Sequence, residues 1–448
     1  MKSLPALNKK ASLRGKKVLL RVDWNIPLHD VPTEGDLLKI ERSAETIKWL
    51  KRQGAVTIVL THLGRPKSKD DSLSTVRLLP FAEAYLEDPL MFCGEDIEAE
   101  EGLIAVKQCI DSTKNGGVVL LENVRFYAGE ETNDKKLAAL YASLADIFIN
   151  DAFASCHRKH ASVAAIAKLL PHYAGPALQE EVAAASKLLG KPKKPFVAVI
   201  GGAKLSTKLP VINSLLKKAD HILIGGAMAH AFLKAKRVEV GKSYLEEGSV
   251  KLARKLIKNK RIHLPEDALA AKALKEGASP RRASIKDISK SEKIGDIGPI
   301  TMQKWSALIK NAQTILWNGP VGITELPAFS HGSMVIGYAV ASRSKGKAYG
   351  VVGGGDTIPV ALATGMDEWF DHISTGGGAL LEFIATGGKV PGLTSLLEKQ
   401  PKAKKSVAKP RKPAKIAKAT KVKITKPKST SAKNPANKKT AKKKPAKK

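Results

Sequence analysis

GVVGGGDT, Gly350 to Thr357, followed by the helix-compatible run Ile358 to Met366, is the stretch from which the fold is read. Its apolar lead-in has the character of a buried strand end. Three consecutive glycines, Gly353 to Gly355, let backbone N–H groups approach a bound group closely, and Asp356 is placed to hold a cation beside phosphates. A strand, a glycine turn and a helix in succession outline the phosphate-binding edge of an α/β sheet, but the same turn also occurs for steric reasons alone. What decides between the two is whether the chain repeats the pattern.

Short β-rich runs alternate with amphipathic helical stretches from the N-terminus onward. Lys17 to Ile26, Ala55 to Leu60, Val118 to Glu122 and Ile147 to Asn150 read as strands, while Glu41 to Gln53, Thr75 to Glu87 and Asp134 to Ala145 read as helices, and Ser162 to Leu170 continues the alternation. Such alternation predicts a parallel sheet covered on both faces. Pro176 to Leu189, with proline at its entry and Gly190 at its exit, reads as a capped helix between two series. The second series runs through Phe196 to Ile200, His221 to Ile224, Gln313 to Trp317, Lys347 to Val352 and Trp369 to Ser374. The expected fold class is therefore α/β, with two doubly wound parallel-sheet, Rossmann-like domains joined by a helix. The boundaries are 1–175 for the first domain, 176–190 for the helix, 191–388 for the second domain, 389–400 for a segment returning to the first, and 401–448 for a tail.

Composition agrees. A chain of 448 residues, 43% of them hydrophobic, has enough apolar side chain for two cores. Cys93, Cys109 and Cys156 show no CxxC spacing and no neat pairing, which argues against a disulfide scaffold or a cysteine zinc site and points to a reducing, cytoplasmic setting. The first 20 residues contain no sustained apolar run, and no run approaches the roughly 20 residues of a membrane span. The formal net charge is +34, yet residues 401–448 carry 20 Lys/Arg and no Asp/Glu, leaving +14 for the first 400 residues. The body thus suits an anionic ligand. The tail, built of Lys, Ala, Pro, Ser and Thr, cannot bury enough apolar surface to offset chain entropy and is expected to be disordered.

In open parallel sheets ligands bind beyond the C-terminal ends of the strands. In the first half those ends lead into Asp23-Trp24-Asn25, Thr61-His62-Leu63-Gly64-Arg65-Pro66, Glu122-Asn123-Val124-Arg125 and Asn150-Asp151, the last followed by His157-Arg158-Lys159-His160. Arg65, Arg125 and Arg158 are three guanidinium groups in equivalent positions, and each pairs bidentately with carboxylate or phosphate. Asp23 and Asn25 are either a cleft-facing pair suited to hydroxyl or carboxylate groups, or an Asx turn that caps the loop. In the second half the strand ends carry Gly201-Gly202-Ala203-Lys204 with Lys208, Gly225-Gly226, Asn318-Gly319-Pro320 with Glu325, the opening GGGDT, and Ser374-Thr375-Gly376-Gly377-Gly378. Five glycine loops on one sheet edge make a surface for close backbone approach, for which a nucleotide is the economical ligand. Val240-Gly241-Lys242-Ser243 ends like a P-loop, but Lys236 stands where the first glycine is required. The HxxH spacing of His157 and His160 lacks the acidic or cysteine partners of a metal site.

These motifs, RVDWNIPL (21–28), THLGRP (61–66), ENVRF (122–126), NDAFASCHRKHAS (150–162), GGAKLSTK (201–208), WNGPVG (317–322), GGGDT (353–357) and STGGGA (374–379), occur in the order found in phosphoglycerate kinases. The chain resembles that family from about residue 12 to 398. The resemblance implies reversible phosphoryl transfer between 1,3-bisphosphoglycerate and ADP, giving 3-phosphoglycerate and ATP, with Mg²⁺, by a monomer with no membrane association. It implies that Asp23, Asn25, His62, Leu63, Gly64, Arg65, Arg125 and Arg158 bind the glycerate on the first domain. Lys208, Asn318, Pro320, Glu325, Gly354, Gly355, Asp356 and Thr357 would bind the nucleotide on the second, with Asp356 on the metal. Arg65, Lys204, Lys208, Gly376 and Gly377 would act on the group in flight. Where the family usually has an arginine on the substrate this chain has Lys39, which keeps the charge and loses the bidentate fork, so substrate positioning is expected to weaken without a change of reaction.

The tail resembles basic linker-histone tails. Its lysines could follow phosphates in an extended chain and bind nucleic acid without sequence preference, or form a solvated tail for any polyanion; without an aromatic residue it offers no base stacking. A second reading of the whole chain makes it a nucleic-acid-binding protein whose kinase body is inert.

Overall fold

In a computed structural model of the chain, residues 3–7, 12–28 and 31–401 are described. Six strands form the first sheet: β1 (Lys17–Arg21), β2 (Val56–Leu60), β3 (Met91–Cys93), β4 (Val118–Leu121), β5 (Ile147–Asn150) and β6 (His172–Ala174), in the order β3-β4-β2-β1-β5-β6. All pairings are parallel. Runs such as VTIVL are buried throughout, as required of strands with helices on both faces. The covering helices are α1 (Glu34–Arg52), α2 (Leu79–Leu86), α3 (Glu100–Ser112) and α4 (Lys135–Ser143). Helix α1 begins earlier than residue 41 because Thr33 and Asp36 form a reciprocal capping box at its entry. The stretch expected as a helix over 75–87 divides into a 3-10 turn, Thr75–Leu78, and α2, while 162–170 folds as a π-turn, Ala161–Ala165, followed by a 3-10 turn.

Helix α5 (Pro176–Leu189) starts where Asp151, at the end of β5, accepts a hydrogen bond from Leu178 N (3.0 Å) and caps the helix. Thr46 of α1 holds the second carboxylate oxygen at 2.5 Å. Gly175 is required here, since a Cβ would run into the Asp151 carboxylate.

The second parallel sheet is built from β7 (Phe196–Ile200), β8 (His221–Ile224), β9 (Ile262–His263), β13 (Thr314–Asn318), β14 (Tyr349–Gly353) and β15 (His372–Ser374), ordered β15-β14-β13-β7-β8-β9. A separate antiparallel sheet of β10 (Asp267–Ala271), β11 (Arg281–Ser284) and β12 (Lys293–Ile297) interrupts it and was not expected from the sequence. Its strands show weak periodicity, and Ala268, Ala270 and Ala283, with Ile285 and Ile288 just beyond β11, form a small separate core together with Leu233 and Val240. The remaining helices are α6 (Leu205–Leu215), α7 (Met228–Ala235), α8 (Ser249–Leu256), α9 (Pro299–Asn311), α10 (His331–Ser344), α11 (Ile358–Ala363), α12 (Gly378–Ala385) and α13 (Pro391–Leu396). Among the described residues no helix is long and apolar enough to cross a membrane.

One correction concerns the cysteines. Cys93 of β3 and Cys109 of α3 form a disulfide, with Cα atoms 6.4 Å apart, because α3 folds back beside the strand that precedes it. Linear spacing does not reveal that return, and the pairing removes the cysteine argument for a reducing compartment. Only Cys156 is free, and it is buried.

Residues 390–400 run back to the first sheet: Gly392 N donates to Cys156 O (2.8 Å), and Gln400 makes two hydrogen bonds with the backbone of His172 in β6. The tail expected to be disordered lies, apart from Pro401, outside the described residues.

The two parallel sheets are tied together around Glu181 of α5, 3% exposed. Its carboxylate accepts from Arg42 of α1 (3.2 Å), His372 Nε2 (2.9 Å), Ser374 Oγ (2.7 Å) and Thr375 N (2.9 Å), while Arg42 also donates to the Ile373 carbonyl. Burial on its own would raise this carboxyl; the hydrogen bond and charge of His372, with Arg42 and Ser374, outweigh it and hold the group below its usual range. Phe153, just after β5, meets Phe383 of α12 edge-on at 5.9 Å beside this network. Because the folded pKa is depressed, the stabilisation is present above the unfolded carboxylate value and is lost as pH falls through the folded one. Glu181→Gln is expected to destabilise the protein by about 3 kcal/mol at pH 7. In urea melts the gap from wild type should narrow on acidification; a gap independent of pH would show that the charge contributes nothing.

Candidate active site

The strand order of the first sheet switches direction between β1 and β5, and that of the second between β7 and β13. Crevices open at such points, and the residues singled out from the sequence gather there.

On the first sheet, Trp24 turns into the core and donates its Nε1 to Ser43 Oγ (2.6 Å), so Asp23 and Asn25 face the other way. Asn25 Oδ1 accepts from Gly64 N (2.8 Å), which fixes the 61–66 loop. Lys39 Nζ donates to the Asn25 carbonyl (2.7 Å), so the lysine braces the same turn. His62 is buried, and its Nδ1 lies 3.1 Å from Arg21 NH2. A guanidinium only donates, so Nδ1 is the acceptor and the ring proton sits on Nε2, where it is available to a ligand. Burial, followed by the charges of Arg21, Arg125, Arg158 and Lys39, pushes the His62 pKa well below the ordinary value, so the ring is neutral.

Arg125 donates to the Gly64 carbonyl and lies 3.4 Å from Glu131. Burial and then the charge of Arg158 lower it to about 10. Arg158 Nε donates to His157 Nε2 (3.1 Å), while Arg65 stays exposed at the rim and Leu63 is buried with its N–H on Asn123. Asp23 Oδ1, 3.8 Å from His62, and Arg125 Nε are sealed from solvent without a hydrogen-bond partner. Several cations converge here that are only partly neutralised, an arrangement that fits a multiply charged anion.

Arg21 carries no signal in the sequence beyond its place at the end of β1. It is 1% exposed and holds Ser162 Oγ (3.0 Å) as well as His62, and burial lowers its pKa despite the opposing charges of Glu130 and Asp23. It therefore positions the site from behind.

On the second sheet a cavity of about 460 Å³ is lined by Lys204, Lys208, Asn318, Gly354, Gly355, Asp356, Thr357 and Gly377. Lys208 donates to Asn318 Oδ1, and Asn318 Nδ2 donates to the Gly353 carbonyl (2.6 Å), so the asparagine orients the lysine. Burial lowers Lys208 to about 8, partly offset by Asp356. Thr357 is buried, and its Oγ1 accepts from Gly319 N (2.7 Å), locking two loops together. The Thr357 and Ile358 amides both bond the Gly354 carbonyl, which leaves Gly355 and Asp356 as the exposed part of the GGGDT turn. Gly354, at φ +115°, takes a backbone conformation that other residues resist.

Gly376 departs from the role expected of it. Its N–H donates to Ser374 Oγ (3.2 Å) and its Cα faces Phe153, so it packs against the first sheet, while Gly377 and Gly378 face the cavity.

A second cavity of about 240 Å³ adjoins the first through Gly202, Ala203 and Asp356. Pro320 and Glu325 line it, with apolar residues of the antiparallel sheet opposite. Among its members not singled out from the sequence are His230 and Asp296. Burial raises Asp296 to about 7 while the Gly332 and Ile297 amides pull it down, and its carboxylate steadies the start of α10 at Gly332 N (2.7 Å). Together the cavities offer an elongated, glycine-floored trough with an apolar end and a cationic end.

The comparisons with known proteins agree with this geometry. The family described as "Phosphoglycerate kinase" matches residues 8–387. The chain is 44% identical over 402 residues to a phosphoglycerate kinase of Dictyoglomus turgidum, covering 86% of this chain and 97% of that protein. It is 42% identical over 388 residues to a phosphoglycerate kinase of Thermus thermophilus, with the same two coverages. Among solved structures, phosphoglycerate kinase from Coxiella burnetii superposes with a TM-score of 0.74 at 34% identity, covering 88% of this chain and 99% of that one. That from Pyrococcus horikoshii OT3 does so with 0.77 at 27% identity, covering 87% and 98%. With a family match over most of its length and relatives above 40% identity, this chain belongs to the phosphoglycerate kinase family.

Proposed function

We propose that the two sheet edges are the opposed halves of one active site. The first, residues 1–175, would take 3-phosphoglycerate or 1,3-bisphosphoglycerate, and the second, residues 191–388, would take ATP or ADP. The reaction is the reversible transfer of a phosphoryl group to a carboxyl acceptor, as befits a kinase of this family. The observation that carries the assignment is the division of chemistry: converging cations around His62 on one edge, a glycine-floored trough on the other. The second reading, of an inert body, finds no support in these matches.

Phosphoryl transfer asks a protein for alignment and charge stabilisation rather than covalent chemistry. Asp23 and Asn25 would orient the glycerate, with the Nε2 proton of His62 and the guanidinium groups of Arg65, Arg125 and Arg158 on its anionic groups. Lys39 gives one point charge where an arginine would give a fork, so the carboxyl end is held less rigidly. Lys208, oriented by Asn318, would meet the transferring oxygens, with Lys204 and the Gly377 backbone beside it. Glu325 and Pro320 would take the nucleoside. Closure about α5 (Pro176–Leu189) would bring the halves together and exclude water that would hydrolyse the acyl phosphate. Both walls come from one chain, so a monomer suffices.

Mg²⁺ fits the residues present. Asp356 offers a hard, exposed carboxylate at the junction of the two cavities, and this ion is commonly held by one or two carboxylates with substrate phosphates completing its shell. When bound it would neutralise charge on the nucleotide phosphates. The cytoplasmic setting rests on the soluble substrates of this reaction alone. For the basic tail we propose sequence-independent binding to nucleic acid, because 20 cationic residues without one acidic residue form a charge array suited to a phosphate backbone.

A coupled assay with 3-phosphoglycerate and ATP tests the reaction, and Lys208→Ala should lower kcat about 100- to 1000-fold with a smaller change in KM. Because Lys208 is charged below about 8 and neutral above it, kcat/KM for ATP should fall as pH rises through that value in wild type. Lys208→Arg should abolish that alkaline limb; a limb that persists would assign it to another group.

Asp356→Ala should raise the Mg²⁺ concentration for half-maximal rate by roughly ten- to a hundredfold. An unchanged Mg²⁺ dependence removes Asp356 from the metal.

Duplex DNA binding by the full chain should weaken by about 10³-fold or more between 50 and 200 mM salt, and a chain ending at residue 400 should lose most of it. Equal, salt-insensitive binding by both excludes the tail.

A further inference from the structure

His230 lies on α7, 4% exposed, and its ring forms part of the wall of the smaller cavity. Its Nδ1 is 3.0 Å from the backbone carbonyl of Tyr244. A carbonyl oxygen only accepts, so the proton of the ring resides on Nδ1 and the opposite nitrogen, Nε2, is left as a lone-pair acceptor. Burial lowers the His230 pKa below the ordinary value, which keeps the ring in that neutral form at pH 7. Nε2 has no hydrogen-bond partner among the described residues and is not sealed from solvent as the orphaned buried atoms are, so its opening is the cavity. The surrounding wall is apolar, made by Leu233, Leu274, Ile285 and Ile294, with the carboxylates of Asp296 and Glu325 and the tip of Asp356 as the other charged groups. A tautomer-locked acceptor in an apolar slot distinguishes ligands by whether they bring a donor, since a ligand without one leaves the nitrogen unpaired.

Purine bases differ at that point. Adenine carries an amino donor at position 6, hypoxanthine and guanine carry an acceptor oxygen there, and unsubstituted purine carries neither. We propose that His230 is a specificity residue that makes this nucleotide site prefer 6-aminopurines, by accepting a hydrogen bond from the exocyclic amine at Nε2. The inference rests on the reading that the smaller cavity receives the base.

The test is a comparison of kcat/KM, with 3-phosphoglycerate as acceptor, for ATP, purine riboside triphosphate and inosine triphosphate, using the full-length wild type and His230→Phe. Wild type should favour ATP over purine riboside triphosphate by roughly tenfold, the value of one good hydrogen bond. His230→Phe should bring that ratio close to one, through loss of ATP use with purine riboside triphosphate little changed. A ratio unaltered by the substitution, or an equal fall for all three nucleotides, overturns the proposal and leaves His230 a support for α7. A wild-type ratio near one overturns it whether or not the variant folds. Failure of the underlying reading looks different: ribose 5-triphosphate would then serve as well as ATP, because no base is held.

Discussion

A carboxylate removed from water has to be satisfied by its surroundings, and Glu181 finds its partners on elements that are otherwise far apart in the chain. Arg42 comes from the first long helix, while His372, Ser374 and Thr375 come from the last strand of the second sheet and its glycine loop. The residue thereby fixes where α5 sits relative to both sheets. It also sets where the Ser374 to Gly378 turn meets the first sheet, with Gly376 against Phe153. One buried charge and its four partners thus link elements of both sheets beside the two candidate ligand edges.

The two edges solve different electrostatic problems with the same topology. The first concentrates guanidinium groups and then limits their mutual repulsion through nearby acids: buried Glu130 sits behind Arg21, and Glu131, which is exposed, lies beside Arg125. One outcome is a histidine kept neutral and held in a single tautomer. The second edge uses few cations and much exposed backbone, and its one deeply placed lysine is depressed toward neutrality by burial. Cationic clustering suits a small, highly charged acid, whereas backbone and apolar wall suit a larger ligand with a charged end.

Much of the fold was legible because its signals are local. Buried parallel strands read as continuous apolar runs, and several, such as Ile147–Asn150, Phe196–Ile200 and His221–Ile224, have the bounds read from the sequence. The same is true of α5, whose Pro176 entry and Gly190 exit are short-range punctuation. The antiparallel insertion β10 to β12 was missed because its strands are short and lack clean alternation: β11 (RRAS) is largely exposed, while β10 (DALAA) and β12 (KIGDI) are mostly buried yet carry acidic residues. The Cys93–Cys109 bond was missed for a similar reason, since only the return of α3 against β3 brings the two sulfurs together.

The sequence by itself determined the alternation of strand and helix, the residues at each strand end and the excess of positive charge, since each follows from residue type and spacing along the chain. Only the tertiary structure decided which of these groups are free to meet a ligand. Asn25 Oδ1 and Thr357 Oγ1 are engaged by neighbouring loops and the Gly376 amide by Ser374 of its own turn, while Arg21 and Glu181, inconspicuous in the sequence, gain their roles from what surrounds them. The physical reason is that burial and hydrogen-bond partners set a polar group's charge state and availability, and both are supplied by residues distant in the chain.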